Sequence, residues 1–485
     1  MRQSVDRRTF LKLLSMASST AALGQAAQFQ GRRVVVLGAG LAGLAAAWNL
    51  VREGYDVVVL EATHRPGGRV RTVRAPFRRG GYAEAGAVRI PSQHELTLKY
   101  IRLMGLESKL VAYQQDTGEH LWYLQRRRFT TPAGGWPLDG LTAEEKANPF
   151  AMLPTYLGPA LAAVGDPTAP DFPSPAALGL DAFRIDEYLR KAGASEAWIQ
   201  FLFASEGNAA RMSALSVAMV EAPLLGSAQT FGLVGGNDQL PYALAARLGQ
   251  RVKYNSPVLR LAHGENGLAV TYRDRSGAQH EVPADHCVCT LPFPVLRRVE
   301  IAPAFSATKM AAIERYQLMP IARQYFQTQT QFWRDDRSGR LGGLNMVGTD
   351  TVVERVWNTS LLQPDPRMGM LQSYMLDDHA VTFASLDRHQ RAGTWRRAIS
   401  RFLPGLRDRE VVATYDKVWQ DDPWQRGGIA LIQPHQFEWL WPAARQAEGR
   451  VHFAGEHTSV YLGWQNGALE SAERVVREIV ETTAR

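Results

Sequence analysis

The chain has 485 residues, 45% of them hydrophobic and 21% charged, with a formal net charge of +8. That length predicts two or three domains with large cores, and the ordinary balance of apolar and charged residues excludes a wholly disordered chain. The positive charge comes from scattered arginines, with no basic helix interleaved with aromatics, which argues for a solvated basic surface and against a nucleic-acid partner.

Residues 1–27 read as a targeting segment. Arg7-Arg8-Thr9-Phe10-Leu11-Lys12 is a twin-arginine pattern followed by a modest apolar stretch to Leu23, and Ala22, Gly24, Ala26 and Ala27 offer small residues for cleavage. Lys12, Ser15, Ser18, Ser19 and Thr20 interrupt the apolar run, so no integral membrane span is expected there. The expected location is periplasmic or secreted.

Residues 32–72 then read as strand, glycine turn, helix, strand and a second glycine loop. Val34, Val35, Val36 and Leu37 form the short continuous apolar run of a strand buried on both faces. Gly38, Gly40 and Gly43 follow with G-x-G-x-x-G spacing: the first permits the turn, the second admits a pyrophosphate against the backbone, the third lets helix and strand approach. The helix predicted over 41–53 starts at Leu41 and Ala42, and its first amides and dipole favour an anion. A second strand over 57–60 delivers Glu61, a carboxylate placed to accept hydrogen bonds from a ribose. NAD and FAD both satisfy this much. The neighbouring Arg65, Gly67, Gly68 and Arg69 favour FAD, because a second glycine loop accommodates a longer buried dinucleotide.

Glu61-x-x-x-Arg65-x-Gly67-Gly68-Arg69 after such a unit resembles the flavin amine oxidases, and residues further along resemble their L-amino acid oxidase branch. The resemblance implies an α/β fold: a Rossmann-like FAD-binding domain that is discontinuous (31–88, 240–300 and 445–485), a mixed-sheet substrate-binding domain (89–136, 230–239 and 301–444) and a helical insertion (137–229). Twin-arginine export, which carries folded proteins, suits an enzyme that acquires its flavin before export.

In chain order, Gly86-Ala87-Val88-Arg89 resembles the segment whose arginine grips the substrate carboxylate; a guanidinium fork matches a carboxylate bidentately. A structural pairing of Arg89 with Glu84 is the alternative. Helices are predicted over 183–191 and 195–205, with a turn-rich loop over 165–175. Gly235-Gly236-Asn237-Asp238-Gln239-Leu240-Pro241 resembles the turn returning the chain to the cofactor domain, before strands over 252–255 and 268–272 and a further family strand over 288–292. Cys287 and Cys289, the two cysteines of the chain, fall on one face of a strand and read as small buried side chains, without disulfide geometry or a metal cluster.

At Arg323 this chain departs from the family, which places there a lysine holding a water near the flavin; Arg323 is therefore the candidate catalytic position and the one that bears on reaction with oxygen. Tyr374 matches a tyrosine that helps bind the substrate carboxylate. Ile429 stands where covalently flavinylated relatives carry cysteine, which implies non-covalent FAD. The segment 450–458 reads as a strand entering a glycine turn at Gly455-Glu456, similar to the last flavin-binding motif, and Gly463-Trp464 resembles the pair whose glycine carbonyl accepts the ammonium while the indole walls the site. Ala62 and Val258 complete the implied cofactor contacts, and a helix over 467–482 closes the domain.

The reading is FAD-dependent oxidative deamination of an L-amino acid to a 2-oxo acid, ammonia and hydrogen peroxide. Its partners are a small amino acid or amine, oxygen as acceptor and a second copy in a homodimer. The rival readings are an oxidase of primary or polyamines, an amino-acid dehydrogenase or oxidative decarboxylase, and an exported flavin-binding protein of low turnover.

Overall fold

The computed structural model describes residues 32–483 except 113–118, 170, 226, 228, 335–343 and 408–410; the twin-arginine segment lies outside the described residues. The apolar run of Arg33–Leu37 is the centre of a five-stranded parallel sheet. Val34 to Leu37 are fully buried, and the strand pairs with Asp56–Leu60 on one side and His286–Cys289 on the other. Val252–Lys253 and Val451–Phe453 form the two outer strands, so one sheet gathers segments from both ends and the middle of the chain. Cys287 and Cys289 are buried free thiols within it. Helices Leu41–Arg52, Gln239–Leu248 and Gln465–Thr483 pack their apolar residues, Leu44, Leu244 and Val475 among them, into one core on this sheet.

The second sheet has seven strands in the spatial order Val411–Val418, Ile321–Thr328, Gly369–Leu376, Arg355–Asn358, Leu344–Thr349, Glu119–Leu124 and Arg127–Thr130. All neighbours are antiparallel except Leu344–Thr349 with Glu119–Leu124. Period-2 alternation divides it: Ala322, Phe326, Leu371, Met375 and Val356 enter an apolar core with Phe383 and Trp395 of the helices Asp377–Ser385 and Arg391–Ile399, while Arg323, Tyr374 and Arg355 project from the other face into a cavity. Six helices between Ala143–Ala147 and Ala214–Leu225 form a third body around Trp136, Trp198 and Phe201. None of the described helices is long and apolar enough to cross a membrane.

Several boundaries differ from the sequence reading for local reasons. The strand expected over 288–292 ends at Cys289, because Thr290 turns its hydroxyl onto the Leu37 carbonyl at 2.7 Å and Pro292 starts the next helix. The strand expected to reach 255 stops at Lys253, since Asn255 adopts φ 53°. The C-terminal helix begins two residues early, at Gln465, and the helix expected from 183 begins at Ile185, where Glu187 caps the Arg184 amide.

Gly43 fixes how closely the first helix approaches the sheet. A Cβ there would lie 2.0 Å from the Gly38 carbonyl oxygen, a backbone atom that cannot swing aside. Gly43→Ala is therefore expected to cost about 1–3 kcal/mol through overpacking, measured as a lower thermal unfolding midpoint than that of the parent chain.

Candidate active site

One continuous cavity runs from the carboxyl ends of the parallel strands to the cavity-facing side of the seven-stranded sheet. At the first end two glycine loops lie against each other: Gly40 and Gly67 form a bridge, and the Gly67 amide donates to Ala39 at 2.8 Å. Gly38, Gly40, Leu41, Ala42, Gly68 and Arg69 face the cavity. No atom lies within 4 Å of where a Gly40 Cβ would sit, so this backbone is open to a ligand. Glu61 and Ala62 also face it, and Glu61 is held by the Ala39 amide on one oxygen and by the Thr63 amide and hydroxyl on the other, at 2.7–2.8 Å.

Arg69 reaches across to the C-terminal motif, donating to Glu456 at 2.5 Å and to the Gly428 carbonyl at 2.8 Å. The second Glu456 oxygen accepts the Gly463 amide at 2.7 Å. Burial pushes the Glu456 carboxyl up, but Arg69, His457 and the Gly463 amide outweigh it and its pKa is lowered. Gly455, Glu456, Gly463 and Trp464 all line the cavity. Trp464 is fixed by its indole N–H, which donates to the Val220 carbonyl at 2.9 Å, and by the edge of His94.

Three residues expected to touch the cofactor do not line this cavity. Arg65 folds back onto its own loop, donating to the Pro66 and Gly68 carbonyls at 3.1 and 3.0 Å. Val258 lies in a strand of a separate four-stranded sheet, and Gly43 serves helix packing; none of the three lines the cavity.

The segment 82–89 joins the two ends. Gly86 passes beneath Arg69, where a Cβ would lie 1.8 Å from the Arg69 carbonyl oxygen. The Asn237 side chain donates to the Ala87 and Val88 carbonyls at 3.1 and 2.7 Å, and Trp419 donates to Ala85 at 2.8 Å. Gly86, Ala87, Val88 and Arg89 are thereby laid along the cavity wall. Glu84 does not pair with Arg89: its carboxylate accepts the Asn237 amide at 2.7 Å and the Thr72 hydroxyl at 2.9 Å. Arg89 has no hydrogen bond or ion pair among the described residues, and its guanidinium sits 5.9 Å from the Trp357 ring centre.

Arg323, Tyr374 and Arg355 are cross-strand neighbours on three adjacent strands. Arg323 and Arg355 lie 4.7 and 5.1 Å from the Tyr374 ring centre, and Arg355 lies 5.8 Å from that of Trp357. Cations and rings thus alternate in the order Arg89, Trp357, Arg355, Tyr374, Arg323, each contact adding to the burial of the next. Arg323 donates to the Glu84 main-chain carbonyl at 2.6 Å, leaving its Nε unpartnered among the described residues.

Gln465, Arg355, Trp357, Glu206 and Glu221 also line the cavity. None was singled out from the sequence, because each is placed by tertiary contacts; the start of a helix directly after Gly463-Trp464 was the one available signal, for Gln465. Its amide is buried with both polar atoms unpartnered among the described residues, at the first turn of the C-terminal helix. An orphaned amide, two Cβ-free loops and a helix N-terminus around one cavity fit an FAD: loops and helix for the pyrophosphate, Glu61 for the ribose, Gln465 for a polar edge of the ring system.

The family model of flavin-containing amine oxidoreductases matches residues 41–480. The chain belongs to this family. It is 29% identical to the flavin-dependent L-tryptophan oxidase RebO of Lentzea aerocolonigenes, covering 92% of this chain and 98% of that one. It is 26% identical to an L-amino-acid oxidase of Demansia vestigiata, over 92% and 86% of the two chains. Among solved structures, putrescine oxidase bound to putrescine superposes with a TM-score of 0.79 at 22% identity, covering 93% of this chain and 99% of that one. Cyclohexylamine oxidase from Brevibacterium oxydans IH-35A superposes at 0.78 and 21%, over 94% and 100%. These superpositions confirm the α/β fold of a flavin amine oxidase.

Within this flavoprotein Glu84 ties stability to pH. Burial pushes its carboxyl up to about 7 from an ordinary value of 4.5. The folded chain therefore holds more protons than the unfolded one between those values, and this residue's contribution falls as pH rises through that window. Thermal unfolding of the parent and Glu84→Gln from pH 4.5 to 8 is expected to show the midpoint of the parent declining relative to the variant as pH rises.

Proposed function

We propose that this flavin amine oxidoreductase catalyses oxidative deamination of an L-amino acid, giving a 2-oxo acid, ammonia and hydrogen peroxide, with FAD held non-covalently. The observation that carries the reading is Arg89, a guanidinium without an ion-pair partner among the described residues on the wall of the flavin cavity. A buried-site arginine left unpaired by its own chain suits a carboxylate that arrives with the substrate. The names of the relatives quoted above agree with that class, whereas the quoted structural neighbours act on amines without a carboxylate.

In this reading Arg89 takes the α-carboxylate and the Tyr374 hydroxyl supports it. The Gly463 carbonyl accepts a hydrogen bond from the amino group, its direction set by the Glu456 bond to the Gly463 amide. Trp464, anchored to Val220, walls the amine side and keeps water from it. The chain's contribution is chiefly positioning: three fixed contacts orient the Cα hydrogen and leave no freedom of rotation. FAD, when bound, supplies the two-electron acceptor, and oxygen restores it. Non-covalent attachment is supported by Ile429, which lines the cavity and carries no nucleophile. We also propose twin-arginine export, on the Arg7-Arg8 pattern.

Arg89→Ala is expected to weaken L-amino acid binding about 10- to 100-fold, the worth of a charge-assisted hydrogen-bond pair, with little change for the matching decarboxylated amine. Anaerobic titration of the bound flavin with both ligand types checks this. Equal losses for amino acid and amine would remove the carboxylate role from Arg89.

A further inference from the structure

Two carboxylates in the cavity are not used by the reading above. Glu206 ends the insertion helix Glu196–Glu206, and Glu221 lies in the last turns of Ala214–Leu225, one residue after the Val220 carbonyl that anchors Trp464. Both line the same cavity as Arg89, and neither makes a side-chain hydrogen bond or ion pair among the described residues. They lie within electrostatic range of each other and of Arg89 and Arg355. Burial and the Glu206 charge push the Glu221 carboxyl up to about 7. Glu221 in particular is a partly buried carboxylate that its own chain leaves without a partner, and burial of that kind disfavours the charged form.

A second observation also points to a ligand. Arg355 is 1% exposed and lines the cavity, donating to the Ser205 carbonyl at 3.3 Å while its Nε stays unpartnered among the described residues.

We propose that Glu206 and Glu221 form an acidic subsite for a positively charged group on the substrate side chain, so that the preferred substrates are basic L-amino acids bearing an ammonium or guanidinium. This rests on the amino-acid reading above for its α-carboxylate half only. The subsite gives the unpaired carboxylates a partner, and a bound cation favours the ionised form of Glu221. Glu221 is the stronger contributor, since it is partly buried whereas Glu206 is exposed.

The test is anaerobic stopped-flow mixing of the flavin-loaded enzyme with L-lysine and with L-norleucine, which has the same carbon chain without the ammonium. The spectral change on binding gives Kd, and flavin bleaching gives the reduction rate. L-lysine is expected to bind at least ten-fold more tightly than L-norleucine, and Glu221→Gln to shrink that ratio at least ten-fold, with Glu206→Gln having a smaller effect. The flavin spectrum and circular dichroism of each variant establish that it is folded and loaded. L-norleucine binding as well as L-lysine, or a ratio unchanged in the double variant Glu206→Gln/Glu221→Gln, would overturn the subsite. A parallel pair, 1,5-diaminopentane against pentylamine, separates the two hypotheses. If amines alone bind, the amino-acid reading fails, while a diamine preference lost in Glu221→Gln still supports the subsite and equal binding refutes it. No spectral change and no bleaching with any of the four ligands refutes the subsite.

Discussion

The site depends on a seam of backbone packed directly on backbone. Gly43 sits against the Gly38 carbonyl, Gly40 against Gly67, and Gly86 beneath the Arg69 carbonyl, with hypothetical Cβ contacts of 2.0 Å at Gly43 and 1.8 Å at Gly86. A side chain at Gly43 or Gly86 forces main chain to move, and main chain in a parallel sheet is tied by its ladder. The seam brings the first helix, the second glycine loop and the segment bearing Arg89 together. Arg69 extends it to the C-terminal turn through Glu456, so residues hundreds of positions apart hold one cavity. The cofactor cradle and the proposed carboxylate grip therefore share a scaffold.

What was legible in the sequence follows from how local each signal is. Gly38, Gly40, Gly43 and Glu61 sit within one strand–helix–strand unit, where spacing alone assigns the turn, the ligand approach, the helix packing and the ribose. Gly455-Glu456 and Gly463-Trp464 were legible through the resemblance of short contiguous segments to the family. The sequence gives the neighbourhood of Arg65 but not its rotamer, in which the guanidinium satisfies carbonyls of its own loop. Glu206, Glu221 and Arg355 carry no local pattern. They meet when the insertion latches onto the sheet side through Asn208 on Glu354 and Arg211 on Asp377, and onto the C-terminal segment through Trp464 on Val220. A helical segment from sequence alone has no reason to present its acidic residues to a distant flavin cavity.

The cavity-facing side of the seven-stranded sheet sets a problem that its residues solve together. Lys417, Arg323, Tyr374 and Arg355 form one row across four strands, with Lys417 and Arg323 directly opposite, where like charges ordinarily destabilise. Lys417 is drawn away by Asp422 at 2.5 Å, and Tyr374 lies between Arg323 and Arg355, offering a ring face to each. Glu84 joins this sheet to the first: its carboxylate accepts from the Thr72 hydroxyl and the Asn237 amide, and its carbonyl accepts from Arg323 and Tyr325 of the seven-stranded sheet. One residue thus couples the two domains with separate atoms, and neither domain can shift without breaking a buried hydrogen bond.

An arginine at 323 is the residue that such a junction favours. Its planar guanidinium donates to the Glu84 carbonyl while its face rests on Tyr374. The same choice removes a proton carrier, since a guanidinium does not deprotonate in a protein. A side chain able to hold or release a proton near neutral pH must then be found elsewhere on the cavity wall. Glu84 titrates in that range but turns its carboxyl to Thr72 and Asn237, away from the cavity. Glu221 faces it. The wall is therefore fixed at the sheet, where Arg323 and Arg355 are permanent cations on stacked supports, and carries at the insertion a carboxyl that burial pushes up to about 7, Glu221.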